Sequence, residues 1–175
     1  MERGPQIQER AAQPYVGIPA QATSEKEVRA AVHRGFPELF GWLGDNGIER
    51  AGAPFIRFRE VAHDGQPLRF ELAAPTAAEL SGSGPVHADA LPAGRYATLL
   101  HIGPYTSAKV PDLSDARAEL LDWARSQGIE WDGSETPDGI AFEACVERYL
   151  TDAASEPDWS KWRTELAYLI SDGPR

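Results

Sequence analysis

An internal repeat constrains the fold of this chain more than any other feature of its sequence. Segment 37–50, PELFGWLGDNGIER, aligns with segment 118–131, AELLDWARSQGIEW, and six of the 14 aligned positions are identical, a tryptophan and a glycine among them. The offset is 81 residues. A shorter echo, RFELA at 69–73 against RTELA at 163–167, lies near the ends of the two halves. We therefore expect two copies of one structural unit.

The first copy shows the pattern of a strand, a helix and two further strands. Ser24 opens a run of apolar residues at helical spacing, and Glu27 is placed to form a capping box with it. Gly47 ends the run, and Pro37 inside it predicts a kink or a break. The strands of this half are predicted at 14–19, 54–61 and 67–73.

The second copy repeats this order. A strand is predicted at 95–102 and a helix at 112–127, ended by a glycine. A closing pair of strands is predicted at 141–150 and 162–170. Between the halves, the segment from about 75 to 92 is rich in Ala, Gly, Pro and Ser, and this composition predicts a connector.

The fold class that follows is α+β, a pseudo-symmetric tandem repeat of two β-α-β-β units. One unit would bury little by itself, so two units related by an approximate two-fold axis are expected to share one antiparallel sheet. The two helices would then flank a ligand crevice along the axis. We expect a single domain over 1–175, with halves at about 13–74 and 93–170 and the connector at about 75–92.

Charge and composition exclude several classes of function. The chain has 17 Lys and Arg against 27 Asp and Glu, a formal charge of −10, so no direct binding of nucleic acid is expected. A single cysteine, Cys145, excludes an intramolecular disulfide. No apolar run is long enough to span a membrane and the N-terminus lacks a signal pattern, which predicts a soluble, cytoplasmic protein.

Common catalytic and cofactor motifs do not occur in the sequence. The chain contains no GxGxxG, Walker A, GxSxG or HExxH pattern, so no cofactor is expected. The four histidines are scattered without a carboxylate or a second histidine at ligand spacing, and we expect no metal.

Carboxylates and aromatic residues are interleaved in the second half instead. Strand alternation places Glu165 on one face of the last strand with Ala167, and Glu147 on one face of the preceding strand with Tyr149. Glu165 has two interpretations. It is either a solvated or arginine-paired strand residue, or a half-buried carboxylate under an aromatic pocket that binds a cation or acts as general acid or base. Leu121 is expected in the core.

Five short motifs resemble the family of GyrI-like domains. They are LPAGRYA at 91–97, HIGPY at 101–105, ERYLTD at 147–152, PDW at 157–159 and WRTEL at 162–166. Their order and spacing cover most of the chain, roughly 13–170.

The resemblance implies a stand-alone binding protein for bulky aromatic, cationic compounds, similar to the effector-binding domains of AraC-type and BmrR-type multidrug regulators. It places the pocket glutamate of those domains at Glu165. About a dozen residues precede the first predicted strand, too few for a helix-turn-helix, so no DNA-binding module is expected. The predicted ligand-binding residues are His101, Tyr105, Trp131, Glu147, Tyr149, Glu165 and Tyr168.

Two other functions stay open. Some stand-alone members of the family hydrolyse strained cyclopropane-containing, DNA-alkylating compounds, and Glu165 with Tyr149 would then be catalytic. The third alternative is an interaction protein, similar to the gyrase inhibitor of the family, that binds gyrase or another macromolecule; the sequence does not identify its protein partner.

Overall fold

The computed structural model describes residues 4–172, which form two α-helices, ten β-strands and one 3₁₀ turn. The helices are α1 (Glu25–Asp45) and α2 (Leu113–Ser126), and the 3₁₀ turn is Trp159–Lys161. The strands are β1 (Gln6–Arg10), β2 (Gln13–Gln21), β3 (Phe55–Ala62), β4 (Pro67–Pro75), β5 (His87–Leu91), β6 (Gly94–Ile102), β7 (Gly133–Glu135), β8 (Gly139–Phe142), β9 (Cys145–Tyr149) and β10 (Arg163–Leu169).

The strands form one strongly curled antiparallel sheet, so the α+β prediction is confirmed. Their order is β1-β6-β10-β9-β3-β4-β2-β5, and the β7–β8 hairpin pairs with β3. The six central strands follow the same order from either end, β6-β10-β9 and β2-β4-β3. This order fits two β-α-β-β units that meet where β9 pairs with β3.

Both helices begin and end in matching ways. Ser24 caps α1 by accepting the N–H of Glu27, and Asp112 caps α2 in a reciprocal box with Asp115. The Glu27 carboxylate accepts hydrogen bonds from the backbone N–H and the hydroxyl of Thr23. Each C-terminus is followed by a glycine with positive φ, at 47 and 128, which a residue with a side chain adopts only with strain.

Pro37 does not break α1, so that part of the prediction is wrong. The helix continues from Glu25 to Asp45 through the proline. Pro37 removes one N–H from the helical ladder. The buried face of the helix, which contains Leu39 and Leu43, still packs on the sheet and holds the helix together.

Three further predictions of local structure need correction. The first strand is β1, which lies in a polar segment where the sequence showed no strand pattern. It pairs with β6 and forms one edge strand of the sheet. The predicted connector contains β5, which pairs with β2. The strand predicted at 141–150 is divided into β8 and β9, which pair with different parts of β3.

Both faces of the curled sheet are buried. The helices cover one face, where Leu72, Leu120 and Leu166 belong to the largest apolar cluster. The other face curls onto itself around a second cluster that includes Phe55 and Val146. Among residues 4–172, no helix is long and apolar enough to span a membrane; the cytoplasmic location stays a prediction.

Candidate functional site

A cavity of about 1110 Å³ lies between the two helices and the helix-covered face of the sheet. Val32 and Phe36 line it from α1, and Leu113 and Arg117 line it from α2. These residues are two pairs at the repeat offset of 81, Val32 with Leu113 and Phe36 with Arg117. The cavity therefore lies where the repeat predicts a crevice.

Aromatic rings form much of the cavity wall. The Tyr149 ring makes edge contacts with Phe36, at 6.2 Å between ring centroids, and with Tyr105, at 5.4 Å. Phe36 also stacks on Phe40 at 5.7 Å, and the Arg50 guanidinium lies 4.8 Å from the Phe40 ring centroid. Rings in these orientations offer both faces and edges to a flat ligand.

Glu147 lies at the base of this cavity. Its side chain is 1% exposed and forms an ion pair with Arg117, whose Nε donates to Glu147 Oε1. The Tyr149 hydroxyl lies 3.4 Å from Glu147 Oε2. Burial and the neighbouring charge of Glu147 raise the pKa of Tyr149 well above its usual value, so the hydroxyl keeps its proton and donates.

The remaining charges around the cavity cancel. Three lining residues are acidic and three are basic, so the formal charge of the lining is zero although the chain carries −10. The acidic residues are Glu25, Glu147 and Asp152, and the basic residues are Arg29, Arg50 and Arg117. Of the three carboxylates, only that of Glu147 is buried, so it is the one that solvent screens least.

Three of the predicted ligand-binding residues line this cavity: Tyr105, Glu147 and Tyr149. Four others lie elsewhere among the described residues. The His101 ring is buried with Nε2 3.0 Å from the carbonyl oxygen of Pro104, which is a packing role. Trp131 and Tyr168 contact each other edge to face at 5.4 Å, against the apolar cluster under the helices.

Glu165 lies on the opposite face of the sheet. Both of its oxygens accept from the Arg10 guanidinium at 2.8 Å, and Arg148 lies 3.4 Å away. This is the arginine-paired alternative that the sequence left open. Glu165 and Tyr149, predicted as a catalytic pair, therefore do not share one site.

A second polar cluster lies on the same face as Glu165, around the first half's matching glutamate, Glu71. Tyr15 donates to Glu71, and Arg59 contacts both Glu71 and Asp89. Ligand atoms of Glu71, His87 and Asp89 lie within 4.8 Å of one another, a proximity that sequence spacing did not show. The arginines already neutralise these carboxylates, so the group is explained as a salt-bridge network.

Comparison with known proteins matches most of the chain to one protein family. The model of the GyrI-like family, described as a GyrI-like small molecule binding domain, matches residues 4–167. No curated protein matches the sequence.

Solved structures with the same fold are distant in sequence. The crystal structure of the EcmrR C-terminal domain has a TM-score of 0.76 at 15% identity, with 99% of this chain and 100% of that chain covered. The chain spans only 57% of EcmrR in its DNA complex, at 14% identity, a TM-score of 0.76 and coverage of 97% of this chain.

Two further solved structures share the fold with lower TM-scores. A hydrolase from Listeria innocua has a TM-score of 0.60 at 13% identity, with 97% of this chain and 93% of that chain covered. SAV2435 bound to tetraphenylphosphonium has a TM-score of 0.58 at 13% identity, with 98% and 95% covered. At these identities the likeness shows the fold alone.

Proposed function

The chain belongs to the family of GyrI-like small molecule binding domains, and on this premise we propose that its cavity binds bulky aromatic compounds that carry a positive charge. The observation that carries the proposal is a buried carboxylate, Glu147, at the base of an aromatic cavity. A volume of about 1110 Å³ suits a ligand of several fused or clustered rings.

Two contributions to ligand affinity are expected, stacking on aromatic rings and attraction of the positive charge. Rings stacked against Phe36, Tyr105 and Tyr149 would each contribute about 0.5–1.5 kcal/mol beyond the area they bury. A delocalised cation is attracted to the ring faces and to Glu147, whereas a neutral isostere gains only the stacking. The tetraphenylphosphonium complex of SAV2435 supports this ligand class.

A titration of rhodamine 6G, followed by fluorescence, tests the proposal. We expect one saturable site with a Kd on the order of micromolar. Val32 lines the cavity from α1, so Val32→Trp would place a large ring in the ligand space and weaken binding by about tenfold or more. Ala30→Trp is the matched control, since Ala30 is exposed on the same helix. Equal affinity in both variants, or no binding by the wild type, would contradict the proposal.

Hydrolysis of a strained cyclopropane is the second candidate, and the proximity of Tyr149 to Glu147 favours it. In this reaction water adds its oxygen to the ring carbon, the strained C–C bond breaks toward a conjugated carbonyl, and the carbonyl oxygen takes a proton. Glu147 would accept the proton of the water, and the Tyr149 hydroxyl would donate to the carbonyl.

The second candidate predicts turnover of a spirocyclopropyl cyclohexadienone, measured by the loss of its absorbance. Tyr149→Phe is expected to lower the rate by about 100-fold because the proton donor is lost. Tyr96→Phe is the control, since the hydroxyl of Tyr96 donates to the Pro92 carbonyl away from the cavity. Undiminished turnover in Tyr149→Phe, or none in the wild type, would remove the hydrolase alternative.

A further inference from the structure

We infer that Arg117 is an internal counterion which the cationic group of a ligand displaces from Glu147, and that this exchange sets the charge preference of the cavity. The inference rests on the proposed function and adds the residue that governs its selectivity. Both members of the pair line the cavity. Glu147 is 1% exposed, whereas Arg117 is 39% exposed, so the arginine is the member that a ligand meets first.

Arg117 is held to the site by one partner. Within residues 4–172, its guanidinium makes hydrogen bonds and ion pairs with Glu147 and with no other side chain. Burial by itself would lower the pKa of Arg117, but the charge of Glu147, its hydrogen bond to the guanidinium and the nearby Tyr149 and Tyr168 together raise the pKa, so the guanidinium stays charged. When the pair separates, the partly exposed guanidinium can turn to water, where its charge is solvated.

Glu165, the other buried glutamate in the second half of the chain, forms an ion pair that a ligand would not separate as easily. Glu165 accepts two hydrogen bonds from Arg10, at 2.8 Å each, and has Arg148 as a second neighbouring cation at 3.4 Å. Removing one arginine leaves Glu165 still compensated. Glu147 has no second arginine among its described contacts, so an incoming cation can take the place of its single counterion.

The exchange makes a prediction about ligands of equal shape and opposite charge. Tetraphenylphosphonium and tetraphenylborate carry the same four phenyl rings with charges of opposite sign. Arg117→Gln keeps a hydrogen-bond donor beside Glu147 but removes the competing charge. We expect this variant to bind the phosphonium about tenfold more tightly and the borate about tenfold more weakly than the wild type, by calorimetry.

Arg125→Gln is the matched control for this measurement. Arg125 lies on the same helix, is 78% exposed and pairs with Asp122, so its replacement changes the net charge equally without touching the cavity. We expect both affinities to stay within about twofold of the wild type. An Arg117→Gln variant whose phosphonium affinity matches or falls below that of the wild type would overturn the inference.

A double variant keeps the test valid if Arg117→Gln alone fails to fold with its unpaired Glu147. Glu147→Gln/Arg117→Gln has the same net charge as the wild type and no buried charge, so it avoids that penalty. If the exchange occurs, the double variant should bind the phosphonium at least about fivefold more weakly than the wild type, because it has no carboxylate at position 147 to pair with the cation. Equal phosphonium affinity in the double variant and the wild type would show that Arg117 does not move. No binding of either ion by any variant or by the wild type would overturn the proposed function itself.

Discussion

Glu147→Gln is expected to weaken the binding of tetraphenylphosphonium by about 10–100-fold, equivalent to about 1.4–2.8 kcal/mol. The substitution removes the buried negative charge at the base of the cavity and leaves the charge of Arg117 uncompensated beside the ligand. Attraction is therefore replaced by repulsion, and because the Glu147 side chain is almost fully buried, the lost attraction exceeds the value of a surface charge.

Glu165→Gln is the matched comparison for this prediction. Both glutamates are buried, both pair with arginine, and they lie on neighbouring strands, but Glu165 points away from the cavity. We expect its replacement to change the phosphonium affinity by less than about threefold. The free energy of unfolding of each variant, from urea titration, separates lost binding from lost fold. A loss of affinity in Glu165→Gln that Glu147→Gln does not show would place the ligand on the other face of the sheet.

Leu120→Ala is expected to lower the free energy of unfolding by about 2–5 kcal/mol, the largest stability effect that we predict. Leu120 lies on the buried face of α2 and is fully enclosed in the cluster that includes Leu99 and Leu166. Truncation removes apolar contacts and leaves a hole that a rigid sheet cannot fill. Because Leu120 follows Arg117 by one helical turn, the variant also loosens the placement of the cavity wall.

Leu121→Ala provides the control beside it. The sequence predicted Leu121 in the core, but the structure leaves it 37% exposed, since the buried stripe of α2 passes through Ala116, Leu120 and Ala124. We expect a change within about 0.5 kcal/mol for this variant in chemical denaturation. Similar losses for the two leucines would contradict the position of α2 on the sheet.

The fold could be predicted largely because its signals are local. Helical spacing, the capping residue Ser24 and the glycines that end both helices predicted the two helices to within a few residues. The edge strands β1 and β5 escaped prediction since each is a short strand held mainly by pairing with a neighbour. Pairing of this kind depends on tertiary position and leaves little pattern in the sequence.

The candidate site was predicted only in part, because both faces of the sheet are buried and the sequence does not show which face the helices cover. Strand alternation groups Glu147 with Tyr149 and Glu165 with Ala167 within their own strands, but it does not say which face meets the helices or how the faces of two strands correspond; the pairing of Glu147 with Leu166 shows that Glu147 and Glu165 lie on opposite faces. In most sheets the apolar face would answer that question. Here both faces are buried, so Leu166 and Ala167, on opposite faces, are equally enclosed.

Two lining residues outside the predicted set could have been found from the repeat. Phe36 and Arg117 occupy the same position in the two repeat helices, 81 residues apart, and both line the cavity. A crevice on a two-fold axis is lined by equivalent positions of both copies, so one known lining residue indicates the other. The sequence itself shows that this pair consists of an aromatic residue, Phe36, and a cationic one, Arg117.

A crystal structure of the protein with tetraphenylphosphonium would show directly where the cation binds. We predict the cation between α1 and α2, with its phosphorus within about 6 Å of the nearest ring centroid among Phe36, Tyr105 and Tyr149. We also expect the Arg117 guanidinium to have turned away from Glu147. A phosphonium ion bound beside Glu165, or an empty cavity in a protein that binds the ion in solution, would contradict binding between the helices.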